Sequence, residues 1–260
     1  MNQILIKPQF EWGARIGYAA RGIIYLLIGG LAVMAVSGGG GKTTGTKGAL
    51  KSLLDEPFGQ IMFGLLALGL FCYSGWRAIQ SIKDADNHGN NAQGVAIRIG
   101  LFISSITHLL LAIWASSILL GFGSSGSSSN QGGLITHSWG QWLFGIAGLA
   151  IVAAGGAHLI KGWKAGFEKY MDIPQSQRVW AVPVCRIGLI SRGAVYCIVG
   201  FFLVSSVWIA GTGELKSIGE ALSWLRDQPF GAWLLGIIAV GLFSFGIYSS
   251  LEAVYRRIDR

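Results

Sequence analysis

Charge is scarce in this sequence. Asp, Glu, Lys and Arg together make up 12% of the 260 residues, about half the usual share of a soluble domain. So few ions cannot cover the surface of a dissolved globule, which excludes a soluble enzyme or binding domain. Carboxylates are scarcer than cations, 12 against 20. None falls inside the six long apolar stretches of the chain, and Glu252 stands just past the last of them. Proton-coupled carriers ordinarily place acids or histidines in the bilayer as relays, so proton-driven transport is disfavoured. Cysteine is limited to Cys72, Cys185 and Cys197. None belongs to an external loop of the topology that the cations indicate, which speaks against a structural disulfide, and no spacing suits zinc. The hydroxyl-rich stretch 124–130 has no neighbouring base to make a nucleophile and reads as a flexible linker. Gly38 to Gly41 before Lys42 lacks the spacing and the preceding strand of a phosphate-binding loop. No catalytic residue and no cofactor is expected, and the chain reads as non-enzymatic.

What is abundant is apolar. Hydrophobic residues make up 52%, with 40 glycines and 10 tryptophans. A helix needs about 20 apolar residues to cross the hydrocarbon core. Six stretches approach that length: 22–37, 58–76, 99–121, 139–160, 193–210 and 230–251. All are too long for barrel strands, so the expected class is an all-α membrane protein. Lys and Arg give the orientation. The N-terminus, second and fourth loops and C-terminus together hold 15 of the 20 cations, and the other side holds Lys42, Lys47, Lys51, Lys216 and Arg226. Both termini are therefore expected in the cytoplasm, with the chain in a bacterial inner membrane. The same bias accounts for the net charge of +8, and adds attraction to anionic lipid. A nucleic-acid partner would call for cations and aromatics interleaved on a soluble surface, and there is none.

An internal repeat organises the chain. Arg15-Ile16-Gly17 recurs as Arg98-Ile99-Gly100 and Arg186-Ile187-Gly188. Ten residues after each Arg stand Tyr25, His108 and Tyr196. Pro57-Phe58-Gly59, Ser138-Trp139-Gly140 and Pro229-Phe230-Gly231 open the second helix of each unit, with Gly64, Gly145 and Gly236 five residues on. Two spans per unit keep every copy in one orientation, so six helices form three parallel repeats with pseudo-threefold symmetry, not inverted ones. The units are 1–97, 98–185 and 186–260. The Arg-Ile-Gly-Tyr-Ala-Ala-Arg-Gly run from Arg15, and Pro-Phe-Gly with its glycine-rich helix, resemble a bacterial membrane family known as domain of unknown function 1206. The resemblance covers nearly the whole chain and implies tandem two-helix units, commonly three. It brings no activity and no catalytic residues. The middle copy departs, with Ser104-Ser105 for Arg-Gly and His108 for Tyr.

Arg21, Tyr25 and Gly29 stand at i, i+4 and i+8, on one helix face. Arg192, Tyr196 and Gly200 repeat the pattern, and Ser104, His108 and Ala112 are the middle version. If the faces converge, Tyr25, His108 and Tyr196 surround a point about 6 Å deeper than the arginines. The product would be a cationic pocket opening toward the cytoplasm, suited to an anionic lipid headgroup or small anion. The alternative is structural: Arg21 stands at the inner interface and snorkels, and the tyrosines belong to the aromatic belt. His108 and His158 are the two histidines within the spans. Their depths, about 15 Å and 3–6 Å from the inner ends, do not suit one haem.

Glycines recur at intervals of five on the second helix of each unit. That spacing spreads them over several sides, for close packing with more than one neighbour. Leucine-bearing turns at 49–54 and 221–226 are expected on the outer membrane surface or as docking surfaces for a partner. Pro57 and Pro229 are expected in the first turn of the helix that follows. Two functions follow from these features. One is a non-enzymatic accessory or scaffold subunit packed against lipid or a membrane-protein partner. The other is a binding or transport protein using the pocket.

Overall fold

The computed structural model describes residues 8–37, 46–55, 57–122, 138–208 and 231–258. Seven α-helices lie among them: α1 (Pro8–Val36), α2 (Thr46–Ser52), α3 (Gly59–Lys83), α4 (Ala92–Leu119), α5 (Ser138–Trp163), α6 (Gln175–Trp208) and α7 (Gly231–Tyr255). All but α2 are long and apolar enough to cross a membrane. The chain is a multi-pass helical membrane protein of three two-helix repeats. The linker at 124–130 and the turn at 221–226 lie outside the described residues.

The first helix of every repeat starts earlier than its apolar run: at Pro8, Ala92 and Gln175, not near 22, 99 and 193. Counting apolar residues stops at an arginine, whereas the backbone ladder does not. The repeated Arg-Ile-Gly arginine explains the continuation. Arg15 Nη1 donates to the Ala253 and Val254 carbonyls of α7 at 2.8 and 2.7 Å. Arg98 does the same to Ser81 (2.7 Å) and Ile82 (3.1 Å) of α3. Arg186 reaches Gly162 and Trp163 of α5. In all three copies the guanidinium donates to carbonyls in the last turn of the neighbouring helix, at the negative end of its dipole.

The same three helix pairs cross closely, and one register sets all three. A Cβ on Gly22 would lie 3.1 Å from the Gly246 carbonyl oxygen, and one on Gly193 would lie 2.8 Å from that of Gly155. The middle copy has Ser105 and Ser74 at these positions. Each hydroxyl donates to the other residue's carbonyl, at 2.9 and 2.8 Å. Two glycines give backbone proximity, and two serines give reciprocal hydrogen bonds at the same crossing. Thus α1 packs on α7, α4 on α3 and α6 on α5. Within repeats, α1 packs on α3 and α6 on α7. No comparable packing joins α4 to α5 among the described residues.

Among the described residues, segments outside the six long helices bury side chains at both ends of the bundle. At the end where α1 finishes, Ala49 and Leu50 of α2 and the following Leu53 are buried in the core with Ile28, Phe63 and Leu66. This corrects the expectation that the turn lies on the membrane surface: its leucines satisfy themselves inside the helical ring. Pro57 stands in the turn ahead of α3, with Phe58 left-handed at φ 61°, and not in the first turn of the helix. The glycine at 59 is required, since a Cβ there would run into the Leu53 carbonyl. At the end where α1 starts, the strap between α5 and α6 buries Phe167 and Met171. The strap is pinned by Asp172 N to Tyr255 O (2.8 Å) and Arg257 N to Tyr170 O (3.0 Å).

Candidate functional site

The three repeated polar faces do converge. Arg21, Tyr25, His108, Arg192 and Tyr196 line one cavity of about 170 Å³, completed by Ile24, Leu70, Thr107 and Leu111. Ser104 lies one turn from His108 and stands beneath the imidazole, whose Nδ1 is 2.7 Å from the Ser104 carbonyl. A carbonyl only accepts, so Nδ1 carries the proton and the neutral ring leaves Nε2 as an acceptor. His158 makes the corresponding bond to Ala154 O at 2.8 Å. The two rings pack on different tyrosines, His108 on Tyr73 (4.6 Å) and His158 on Tyr196 (5.5 Å).

Two features of this site differ from expectation. Toward the end that carries the chain's termini, Tyr18, Tyr73, Tyr248, Glu252 and Phe167 are buried side chains, where an open mouth was expected. Nor does Arg21 snorkel. It is 2% exposed and lies six residues beyond Arg15, about 9 Å further into the bundle. Its side chain is fully engaged. Nε donates to Ser249 Oγ at 2.7 Å, Nη1 to the Tyr73 hydroxyl and Nη2 to Glu252. The rings of Tyr18, Tyr73 and Phe245 surround it at 4.9–5.2 Å.

Glu252 is the residue that sequence reasoning misplaced. It sits within α7, 2% exposed, because the helix runs four residues past the apolar stretch. The carboxylate takes Arg21 on one oxygen and Arg256 on the other, the latter at 2.7 Å. Arg256 continues to Asp86 at 2.9 and 3.0 Å. Asp86 accepts from Gln80 at 2.6 Å, Gln80 accepts from Arg77 at 3.1 Å, and Arg77 reaches the Tyr73 hydroxyl. The network closes on itself. A carboxylate held by two arginines serves as their counter-ion, not as a free proton relay.

Arg192 lacks what Arg21 has. It is 7% exposed, and its aromatic surroundings are equivalent: Phe245, Tyr196 and Tyr25 at 4.4, 4.9 and 5.0 Å. One nitrogen donates to the Tyr196 hydroxyl. Nε has no partner, as is also true of Arg256 Nε, but Arg256 pairs with Asp86 and Glu252, and among the described residues no carboxylate pairs with Arg192. The repeat explains the difference. The register that matches Gly246 to Gly155 matches Ser249 to His158 and Glu252 to Lys161. Where Arg21 meets a hydroxyl and a carboxylate, the positions that correspond for Arg192 hold an imidazole and a lysine, and Lys161 turns instead to the Tyr248 hydroxyl at 3.3 Å. Cation–π contacts contribute about 0.5–2 kcal/mol each, while an unpaired buried ion costs several kcal/mol. The rings alone leave this charge undercompensated.

A sequence profile described as Domain of Unknown Function (DUF1206) matches the chain three times, over residues 16–84, 99–165 and 187–256. Each match begins within the repeated Arg-Ile-Gly. Among curated proteins, the Uncharacterized protein YxxB of Bacillus subtilis (strain 168) is 30% identical over 260 residues, covering 97% of this chain and 93% of the relative. No solved structure matches.

Proposed function

Because the chain belongs to the DUF1206 family, whose description names no activity, we propose its function from the cavity: it binds an anionic group inside the membrane, without chemistry. One observation carries this, the buried Arg192 with its orphaned Nε on the wall of a space large enough for an oxyanion. A guanidinium presents its donors as a planar fork suited to phosphate or carboxylate. His108 and Tyr25 add polar groups on the same wall. The ligand completes for the third repeat what Glu252 supplies to the first. The alternative is a non-enzymatic accessory subunit packed against lipid or a membrane-protein partner, which the close helix crossings support. The distribution of Lys and Arg supports a bacterial cytoplasmic membrane, with both termini on the cytoplasmic side.

The test is native mass spectrometry of the full chain in discs cut from its own membrane. Wild type carries a stoichiometric anionic adduct, and Arg192→Met, which keeps the bulk and removes the charge, lacks it. An adduct of equal occupancy on both forms would refute the assignment.

A further inference from the structure

Buried side chains lie beyond the cavity toward both ends of the bundle, and the missing packing between α4 and α5 among the described residues leaves it a side entrance. Equivalent faces of the three repeats can be compared position by position. Ala14, Gly17, Ala20 and Ile24 of α1 are buried where that helix meets α3. Cys185, Gly188, Ser191 and Val195 of α6 are buried where it meets α7. Their counterparts on α4 are Ile97, Gly100, Ile103 and Thr107, and all four are exposed, Ile97 by 38% and Ile103 by 51%. A Cβ on Gly100 would meet nothing within 4 Å, whereas one on Gly17 or Gly188 would lie 2.5 Å from the facing backbone.

The cause is legible in the side chains. A close crossing needs a small pair. Gly69 sits against Ala20 and Gly241 against Ser191, but the same register in the middle repeat sets Ala150 against Ile103. The β-branched chain keeps the helices apart, and Ala150 is exposed as well. Thr107 is both exposed and part of the cavity wall. It is a hydroxyl where the sister helices bury Ile24 and Val195. The mouth of the cavity therefore faces sideways, into the bilayer.

Size limits what can enter. The space of about 170 Å³ is smaller than the roughly 300–1,000 Å³ that encloses a drug-sized ligand. It holds a headgroup and no acyl chain. We infer that the ligand is an anionic membrane lipid, with its oxyanion head on Arg192 and its chain leaving between α4 and α5 past Thr107. This rests on the anion-binding function proposed above. Arg192 lies six residues beyond Arg186, so the head is drawn about 9 Å inward from the level of that capping arginine. The chain meanwhile stays in the apolar surroundings that Ile103 and Leu110 already share. The lipid is drawn from the leaflet nearer Arg15, Arg98 and Arg186.

The experiment compares dioleoylphosphatidylglycerol with glycerol 1-phosphate, which has the head and lacks the chains, on the purified full chain by native mass spectrometry. One phosphatidylglycerol per chain is expected, with glycerol phosphate at least 100-fold weaker. Two variants address the entrance and leave Arg192 intact. Thr107→Trp fills the mouth, and Ile103→Ala with Ala150→Gly restores the small pair of the other repeats. Each is expected to reduce lipid retention tenfold or more, with thermal stability no lower than wild type. Unchanged lipid retention in both stable variants would overturn the side entrance. Glycerol phosphate binding as tightly as phosphatidylglycerol would overturn the lipid assignment, while leaving Arg192 as an anion site. If Arg192→Met retains phosphatidylglycerol as wild type does, the anion site itself fails.

Discussion

Replacing Glu252 by Gln isolates the central counter-ion with little change of shape. The carboxylate serves two arginines, and they would not suffer equally. Arg256 keeps Asp86 at 2.9 and 3.0 Å. Arg21 keeps Ser249 at 2.7 Å and the Tyr73 hydroxyl, yet loses its only carboxylate among the described residues. The cost is therefore that of one uncompensated buried charge, about 3–5 kcal/mol when a single partner of a buried pair is removed. At roughly 2–4 °C per kcal/mol for a chain of this size, the melting temperature falls by about 6–20 °C. Thermal unfolding of the detergent-solubilised protein, followed by tryptophan fluorescence, would measure it. A second variant separates charge from packing. Adding Arg21→Met to Glu252→Gln removes the orphaned cation, and should recover more than half of the loss, since apolar replacement of a whole buried pair is close to neutral. A shift below about 2 °C for Glu252→Gln would refute the pairing, because it corresponds to less than about 1 kcal/mol.

Other consequences are equally specific. Gly100→Ala should be neutral or raise stability by up to about 1 kcal/mol, the helix-propensity gain, because nothing faces it. The equivalent Gly188→Ala drives a methyl against Phe245 and should cost about 1–3 kcal/mol; equal effects at the two sites would contradict the open α4–α5 edge. A double-mutant cycle of Ser74→Ala and Ser105→Ala should give a coupling of about 0.6–1.7 kcal/mol, and strict additivity would mean the reciprocal bonds are not formed. Arg98→Gln should fray the last turn of α3, seen as faster amide hydrogen exchange near Lys83, at a cost of about 0.3–2 kcal/mol. Exchange unchanged there would remove the capping role.

Much of this architecture could be read from the residues. The long apolar runs, the threefold Arg-Ile-Gly and the ladder of Arg21, Tyr25 and their counterparts led to six helices and to one polar cavity lined from all three repeats. Other features needed the fold. Glu252 and Arg21 are 231 positions apart, and an apolar-run count places the acid outside the membrane because it ends at the first charge. The buried role of Leu50 was invisible for a related reason: an amphipathic turn looks the same whether its leucines meet lipid or a helical bundle. The informative signal in the residues is the register between repeats. Once Gly155 is set against Gly246, the pairing of Lys161 with Glu252, and of Ile103 with Ala20 and Ser191, follows by counting. Those two departures mark the undercompensated Arg192 and the open edge beside it.

The most direct test is an experimental density map of the full chain in phosphatidylglycerol discs, at a resolution that shows side chains and bound ions. Density for an oxyanion within hydrogen-bond distance of Arg192 Nε is the predicted result, continuous with a chain passing between α4 and α5. An Arg192 whose Nε is satisfied by a protein group, with the cavity collapsed or filled by side chains, would contradict it.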